Sequence, residues 1–152
     1  MIKTETRDID GNAYQVSQLT ASEGRAMLVL LIKILGPSLG RLIDSSETTI
    51  GSSISGAIFE LSTNLTDQEL KKVCETFGKY TMVSIEGKDQ RLDLNLQEIF
   101  FAGKYGTMFK WLGFSLEANY RDFFESMANA SANLGNVQEM LANASKRSQS
   151  QK

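Results

Sequence analysis

The segment Phe100 to Phe124, FFAGKYGTMFKWLGFSLEANYRDFF, constrains the fold more than any other part of the chain. Half or more of the aromatic residues lie in it. Taken as a helix, Tyr105, Met108, Phe109, Leu112, Leu116, Asn119, Tyr120, Phe123 and Met127 fall on one stripe at i, i+3, i+4, i+7 spacing. Trp111 and Phe114 do not fit the stripe. They project from the other side, beside Lys110, Glu117 and Arg121. A helix with one apolar face and a second aromatic face must cover both. It lies between two layers of its own fold, or it presents the second face to a partner.

The segments before it supply candidate layers. Residues 3–19 read as a hairpin turning at Asp10-Gly11, because glycine takes positive φ without steric cost. Tyr14 and Val16 alternate with Gln15, Ser17 and Gln18, so one face of the hairpin is expected to be buried. Thr20-x-x-Glu23 is a capping box. It opens a helix over 21–35 that is apolar nearly all round, which predicts a central buried helix with Lys33 reaching out to solvent. Gly36-Pro37 supplies its stop, with one further helical turn between Ser38 and Ile43 as an option. Ser45 to Gly56, rich in Ser, Thr and Gly, reads as a mobile loop, and Ala57 to Ser62 as a short apolar helix.

A second capping box, Thr66-x-x-Glu69, opens a helix over 67–79 with Leu70, Val73, Cys74 and Phe77 on one face. Thr81–Ile85 and Arg91–Leu94 flank Glu86-Gly87-Lys88-Asp89 as a second hairpin. Asn95 is the candidate cap of a turn of helix from Leu96 to Ala102, and Gly103 separates that turn from the long helix over 104–127. The fold class predicted is α+β: a mainly helical core with two β-hairpins in a single domain. Residues 1–128 form the globular part. Residues 129–152 form a weakly helical to disordered tail, because Leu134, Val137, Leu141 and Ala144 keep only weak spacing among Asn and Gly. Leu30, Ile34, Phe77, Phe109, Leu112 and Phe123 are the expected core.

Composition narrows the function. Of 152 residues, 41% are hydrophobic and 22% charged, which suits one domain with a real core. A net charge of −2 argues against a nucleic-acid grip, which needs a basic face. The chain has no histidine and one cysteine, so histidine-based triads, thiolate zinc clusters and internal disulfides are excluded. Cys74 reads as a small core residue. Asp8-x-Asp10-Gly11-Asn12 fails as a calcium loop, because the glycine comes too early and Leu19 stands where a glutamate is needed. No phosphate-binding glycine loop is present. No catalytic residue, cofactor or metal is expected, and the chain is not read as an enzyme. A catalyst built on carboxylates alone would need a pocket of convergent acids. The polar N-terminus and the short apolar run Ala26–Leu35 predict a soluble cytoplasmic protein with no membrane span.

The chain resembles the tail assembly chaperones of tailed bacteriophages. Three features carry the likeness: RDIDGNAYQVSQLTASEGRAMLVLLIKILGP, a hairpin running into an apolar helix; the pattern of Phe101, Gly103, Leu112, Asn119, Phe123 and Phe124; and the order of parts over about residues 7–125. Thr20 departs from the pattern, since many relatives are expected to carry proline after the leucine. The resemblance implies action in the bacterial host cytoplasm on the tape measure protein, a long helical protein whose apolar surface must be kept soluble until the tail tube polymerises around it. The tail tube protein is a second candidate partner. The resemblance also admits a homo-oligomer and a longer form made by ribosomal frameshift.

Under that reading Trp111 and Phe114 are candidate partner-binding anchors, by the helix-in-groove mode. Burial in the chain's own core is the alternative for each. Asn119, on the apolar stripe, is either a specificity contact in an interface or a structural bond to a neighbouring loop backbone. A structural virion component, such as a tail or head completion protein, is the competing function.

Overall fold

The computed structural model describes residues 1–44, 58–59 and 62–149. The elements run β1 (Thr4–Ile9), β2 (Asn12–Ser17), α1 (Ala21–Asp44), α2 (Asp67–Lys79), β3 (Thr81–Ile85), β4 (Lys88–Arg91), α3 (Leu94–Phe100) and α4 (Tyr105–Gln149). Residues 58–59 and 62–64 are also helical. The loop expected at Ser45–Gly56 and part of the helix expected at Ala57–Ser62 lie outside the described residues. The architecture is α+β, as the sequence predicts.

Both hairpins turn on two residues with positive φ. These are Asp10 (49°) with Gly11 (89°), and Glu86 (50°) with Gly87 (78°). That geometry matches the twist of the strands it joins. The second hairpin is therefore tighter than expected. Ile85 pairs with Lys88, so β4 begins at Lys88 and Leu94 falls in a helix. The two hairpins are not separate layers. Tyr14 pairs with Val83 and Val16 with Thr81, which joins them into one antiparallel sheet of order β1-β2-β3-β4. Ile9, Tyr14, Val16, Thr81 and Val83 are buried on the face turned to the helices, and Thr4, Thr6 and Gln15 are exposed on the other.

The first half of α4 lies on the buried face of the sheet, with α1 and α2 against its other sides. This settles how both of its faces are covered. Trp111, Leu112, Phe114, Ser115, Leu116 and Ala118 are all buried. Of the other expected core residues, Phe77 is buried, while Leu30, Ile34, Phe109 and Phe123 are partly buried against the core.

The caps explain where the shorter helices start. Thr66 accepts from Glu69 N, and the Glu69 carboxylate accepts from Thr66 N at 2.9 Å, the full capping box. At α1, Thr20 Oγ1 accepts from Glu23 N at 3.4 Å. Helix α3 is capped by Asp93, not Asn95, with Asp93 Oδ1 accepting from Leu96 N at 2.9 Å. Gly103, at φ 72°, turns the chain from α3 into α4.

Two helices run further than expected. Helix α1 does not stop at Gly36-Pro37 but continues to Asp44. Proline removes one amide from the ladder, and a helix of 24 residues can lose one bond without ending. Nor is α1 the central helix. Met27 and Leu31 are buried, while Val29 and Ile32 are exposed. Helix α4, expected to end at 127, continues to Gln149 with a break at Tyr120 (φ −128°, ψ 18°).

Candidate functional site

The three residues singled out from sequence lie at or near the centre of the fold. Trp111 is fully buried. Its indole Nε1 donates to Thr81 Oγ1 at 3.1 Å, and its ring stacks on Phe101 with centroids 5.5 Å apart. Phe114 is buried under the Arg7 guanidinium, which stands 4.4 Å from its ring centre. Trp111 is enclosed beneath the sheet, and Phe114 is 2% exposed at the edge of the groove between β1 and α4. Asn119 is half-buried. Its Oδ1 accepts from Leu19 N and its Nδ2 donates to Ser115 O, both at 2.8 Å.

Asn119 belongs to a clamp at the break in α4. Gln18 Nε2 donates to Ala118 O at 3.0 Å, and Tyr120 Oη donates to Gly24 O at 2.8 Å. Side chains thus satisfy carbonyls around the point where the helix loses its regular backbone. The bonds from Gln18, Leu19 and Gly24 tie the start of α1 to the middle of α4, which fixes how α1 sits on the body.

Charged groups strengthen the seam between β1 and α4 and leave little free chemistry there. Asp10 accepts from Lys110 and Thr107 at 2.8 and 2.7 Å, and these bonds hold its carboxyl below the usual range. Arg7 and Arg121 both reach Glu117, at 2.9 and 2.8 Å. Partial burial pushes the Glu117 carboxyl up, but the two guanidinium groups outweigh it and the net shift is downward. The Asp8–Asp10 pair is therefore part of the turn and seam, with Asp8 Oδ1 accepting from Gly11 N at 3.2 Å. Cys74 is buried, and desolvation pushes its thiol up to about 12, so it is not a thiolate near neutral pH. Among the described residues, no group of three or more His, Cys, Asp or Glu stands together as a metal site. No described helix is long and apolar enough to cross a membrane.

Large apolar residues are exposed at several places, among them Phe59, Ile99 and Tyr105, and as a pair on one face of α1. Val29 is 49% exposed and Ile32 42% exposed. They stand at i and i+3 with Arg25 and Lys33, both exposed, on the same side of the helix. Met140 and Leu141 are exposed on the distal part of α4. Sequence reasoning missed the α1 face because a helix apolar all round reads as buried all round. Two grooves flank the start of α4. One of about 610 Å³ runs between β1 and α4 and includes Ile9, Phe109 and Phe114. The other, about 440 Å³, lies between α2, α3 and α4 over Leu70, Cys74, Phe101 and Met108. The first lining also carries Asp8, Asp10 and Glu117 beside Arg7 and Lys110, and the second Asp67 and Glu98 beside Lys71.

A known family matches most of the chain. The family model described as "Phage tail assembly chaperone protein, TAC" matches residues 10–142, a span from the first turn to the distal part of α4. No curated protein and no solved structure matches the chain.

Proposed function

Because this chain belongs to the phage tail assembly chaperone family, we propose that it binds apolar helical segments of the tape measure protein and keeps that protein soluble until the tail tube forms. It acts in the cytoplasm of the bacterial host, by binding and not by catalysis. Several copies act along one tape measure, and the tail tube protein is the second partner. The observation that carries this reading is the exposure of Val29 and Ile32 on α1, whose opposite face holds Met27 and Leu31 in the core. Exposed large aliphatic residues grouped on one helix face favour association with a second apolar helix.

Co-expression with a tape measure fragment from the same genome tests the proposal. The fragment is expected to move from the pellet to the soluble fraction. Val29→Ser combined with Ile32→Ser is expected to lose that rescue while the melting temperature stays within a few degrees of wild type, since about half of each residue's surface is already in water. A fragment that remains insoluble beside abundant wild-type chain overturns the reading. Purified virions separate it from the structural alternative: a chaperone is absent from finished particles, and a tail or head completion protein is present.

A further inference from the structure

The charge on the α1 face selects among the helices that could lie on it. Arg25, Val29, Ile32 and Lys33 occupy one exposed side of α1, so two cations bracket two aliphatic residues. Between Ala21 and Gly36 the one acidic residue is Glu23. It faces away, accepting from the Tyr80 hydroxyl and pairing with Lys79 at 3.9 Å. Neither Arg25 nor Lys33 makes an ion pair with a described residue. Arg25 shares a polar groove with Asp122 and Glu125 of α4 without pairing with either, and Lys33 lies beyond that groove. The exposed side of α1 itself is therefore apolar at its centre and carries a cation at each end, with Asp122 and Glu125 of α4 near the Arg25 end.

A second copy of the chain is a poor occupant. Two α1 helices packed antiparallel about Val29 would set Arg25 of one copy against Lys33 of the other, at both ends of the contact. A two-fold interface repeats every such conflict, so the repulsion is felt twice. A helix with the opposite rim has no such conflict. We infer that the α1 face docks an amphipathic helix whose apolar ridge is flanked by carboxylates about two turns apart, matching Arg25 and Lys33 across Val29 and Ile32. This rests on the reading above and deepens it: among the helical segments of the tape measure, those with acid-flanked apolar ridges are the ones this face takes. Apolar contact supplies most of the affinity. The rim charges set register and discriminate against basic segments.

The test uses designed peptides, so that it is independent of tape measure solubility. Two helical peptides of about six turns carry the same leucine ridge. One has glutamate and the other lysine at the flanking positions. Binding of each to the full chain is followed by fluorescence anisotropy. The acid-flanked peptide is expected to bind about five- to twenty-fold more tightly at low salt, and the gap should shrink as salt rises. Arg25→Gln with Lys33→Gln should erase the gap, and Val29→Ser with Ile32→Ser should weaken both peptides. Equal binding of the two peptides, or of neither, overturns the inference. So does a preference that survives the double glutamine variant. Dimerisation of the chain that is lost on Val29→Ser would assign the face to a second copy. Binding to anionic phosphatidylglycerol vesicles through Val29, without peptide discrimination, would assign it to a lipid surface. Either result overturns the inference. If the peptide preference holds while the tape measure stays insoluble, the docking chemistry stands and the chaperone reading fails. If the tape measure is rescued without a peptide preference, the chaperone reading stands and the docking chemistry fails.

Discussion

Replacing Gly78 by alanine should destabilise this protein, against the usual trend for a helix. Gly78 lies in α2 near its end, and glycine to alanine inside a helix ordinarily gains about 1 kcal/mol. Here a Cβ would stand far inside contact distance of Leu92 O and of Gln97 Nε2. Neither can retreat easily. Leu92 is fully buried, and its amide is bonded to Thr81 O at 3.0 Å. The buried Gln97 amide donates to Leu92 O at 2.8 Å and to Cys74 O at 3.1 Å, locking α2 to α3. Overpacking costs about 1–3 kcal/mol. Stripping the carbonyls of the Gln97 donor costs about 1–3 kcal/mol more. After the helix gain is subtracted, the net loss is about 1–5 kcal/mol, set mainly by those two costs. Urea denaturation followed by far-UV circular dichroism measures it, with an unchanged slope showing that only stability has moved. Gly24→Ala is the control. A Cβ there meets Leu19 Cβ at an ordinary 3.8 Å, so that variant should be neutral or stabilised by up to about 1 kcal/mol. If Gly78→Ala melts at or above the wild-type midpoint, the close approach of α2 to the Leu92–Gln97 turn is not as tight as described.

Two further outcomes follow from buried groups. The Tyr14 hydroxyl is buried without a hydrogen-bond partner among the described residues, so Tyr14→Phe should leave stability unchanged or raise it by about 1–3 kcal/mol in the same titration. Alkali should destabilise the fold. Desolvation raises Cys74 from 9.0 to about 12, and desolvation with the Asp10 charge raises Tyr14 from 10.0 to about 12. Both groups ionise first in the unfolded chain. Their contribution is therefore full below pH 9 and is lost progressively as pH rises towards 12. Cys74→Ala should flatten the early part of that fall in melting temperature, and an unchanged alkaline slope would contradict the burial of the thiol.

The features that could be read from sequence are those specified within a few residues. Asp10-Gly11 is a turn dipeptide wherever it occurs between strands, Glu86-Gly87 marks the second hairpin though not its two-residue length, and Thr66 with Glu69 carries its own cap. The long stripe on α4 was legible because its period repeats over more than six turns. The pairing of Tyr14 with Val83 was not, since no local pattern says which of two hairpins borders the other. That one pairing decides the fate of Trp111, whose indole bonds Thr81 on β3, whereas Phe114 lies under Arg7 of the first hairpin. The break at Tyr120 has no local signal either; it contains no Pro or Gly, and its support comes from Gln18, Leu19 and Gly24 about 100 residues away in the chain. Helix α1 shows the converse. Its composition states that it is apolar, but only the placement of α4 decides which side of it meets the core and which side is left at Val29 and Ile32.

The union of the two hairpins also sets an order of events on the ribosome. The partner of Val16 is Thr81, about 65 residues later in the chain. At about 5–20 residues per second, β2 waits roughly 3–13 s for the strand that completes its sheet. The apolar helix α1 is made during that interval, before its support on α4 exists. The nascent chain thus passes through a stage in which it exposes more apolar helix than the finished protein does, and host factors that hold such segments have their window there. A protein proposed to shield another chain's helices spends its own synthesis needing the same protection.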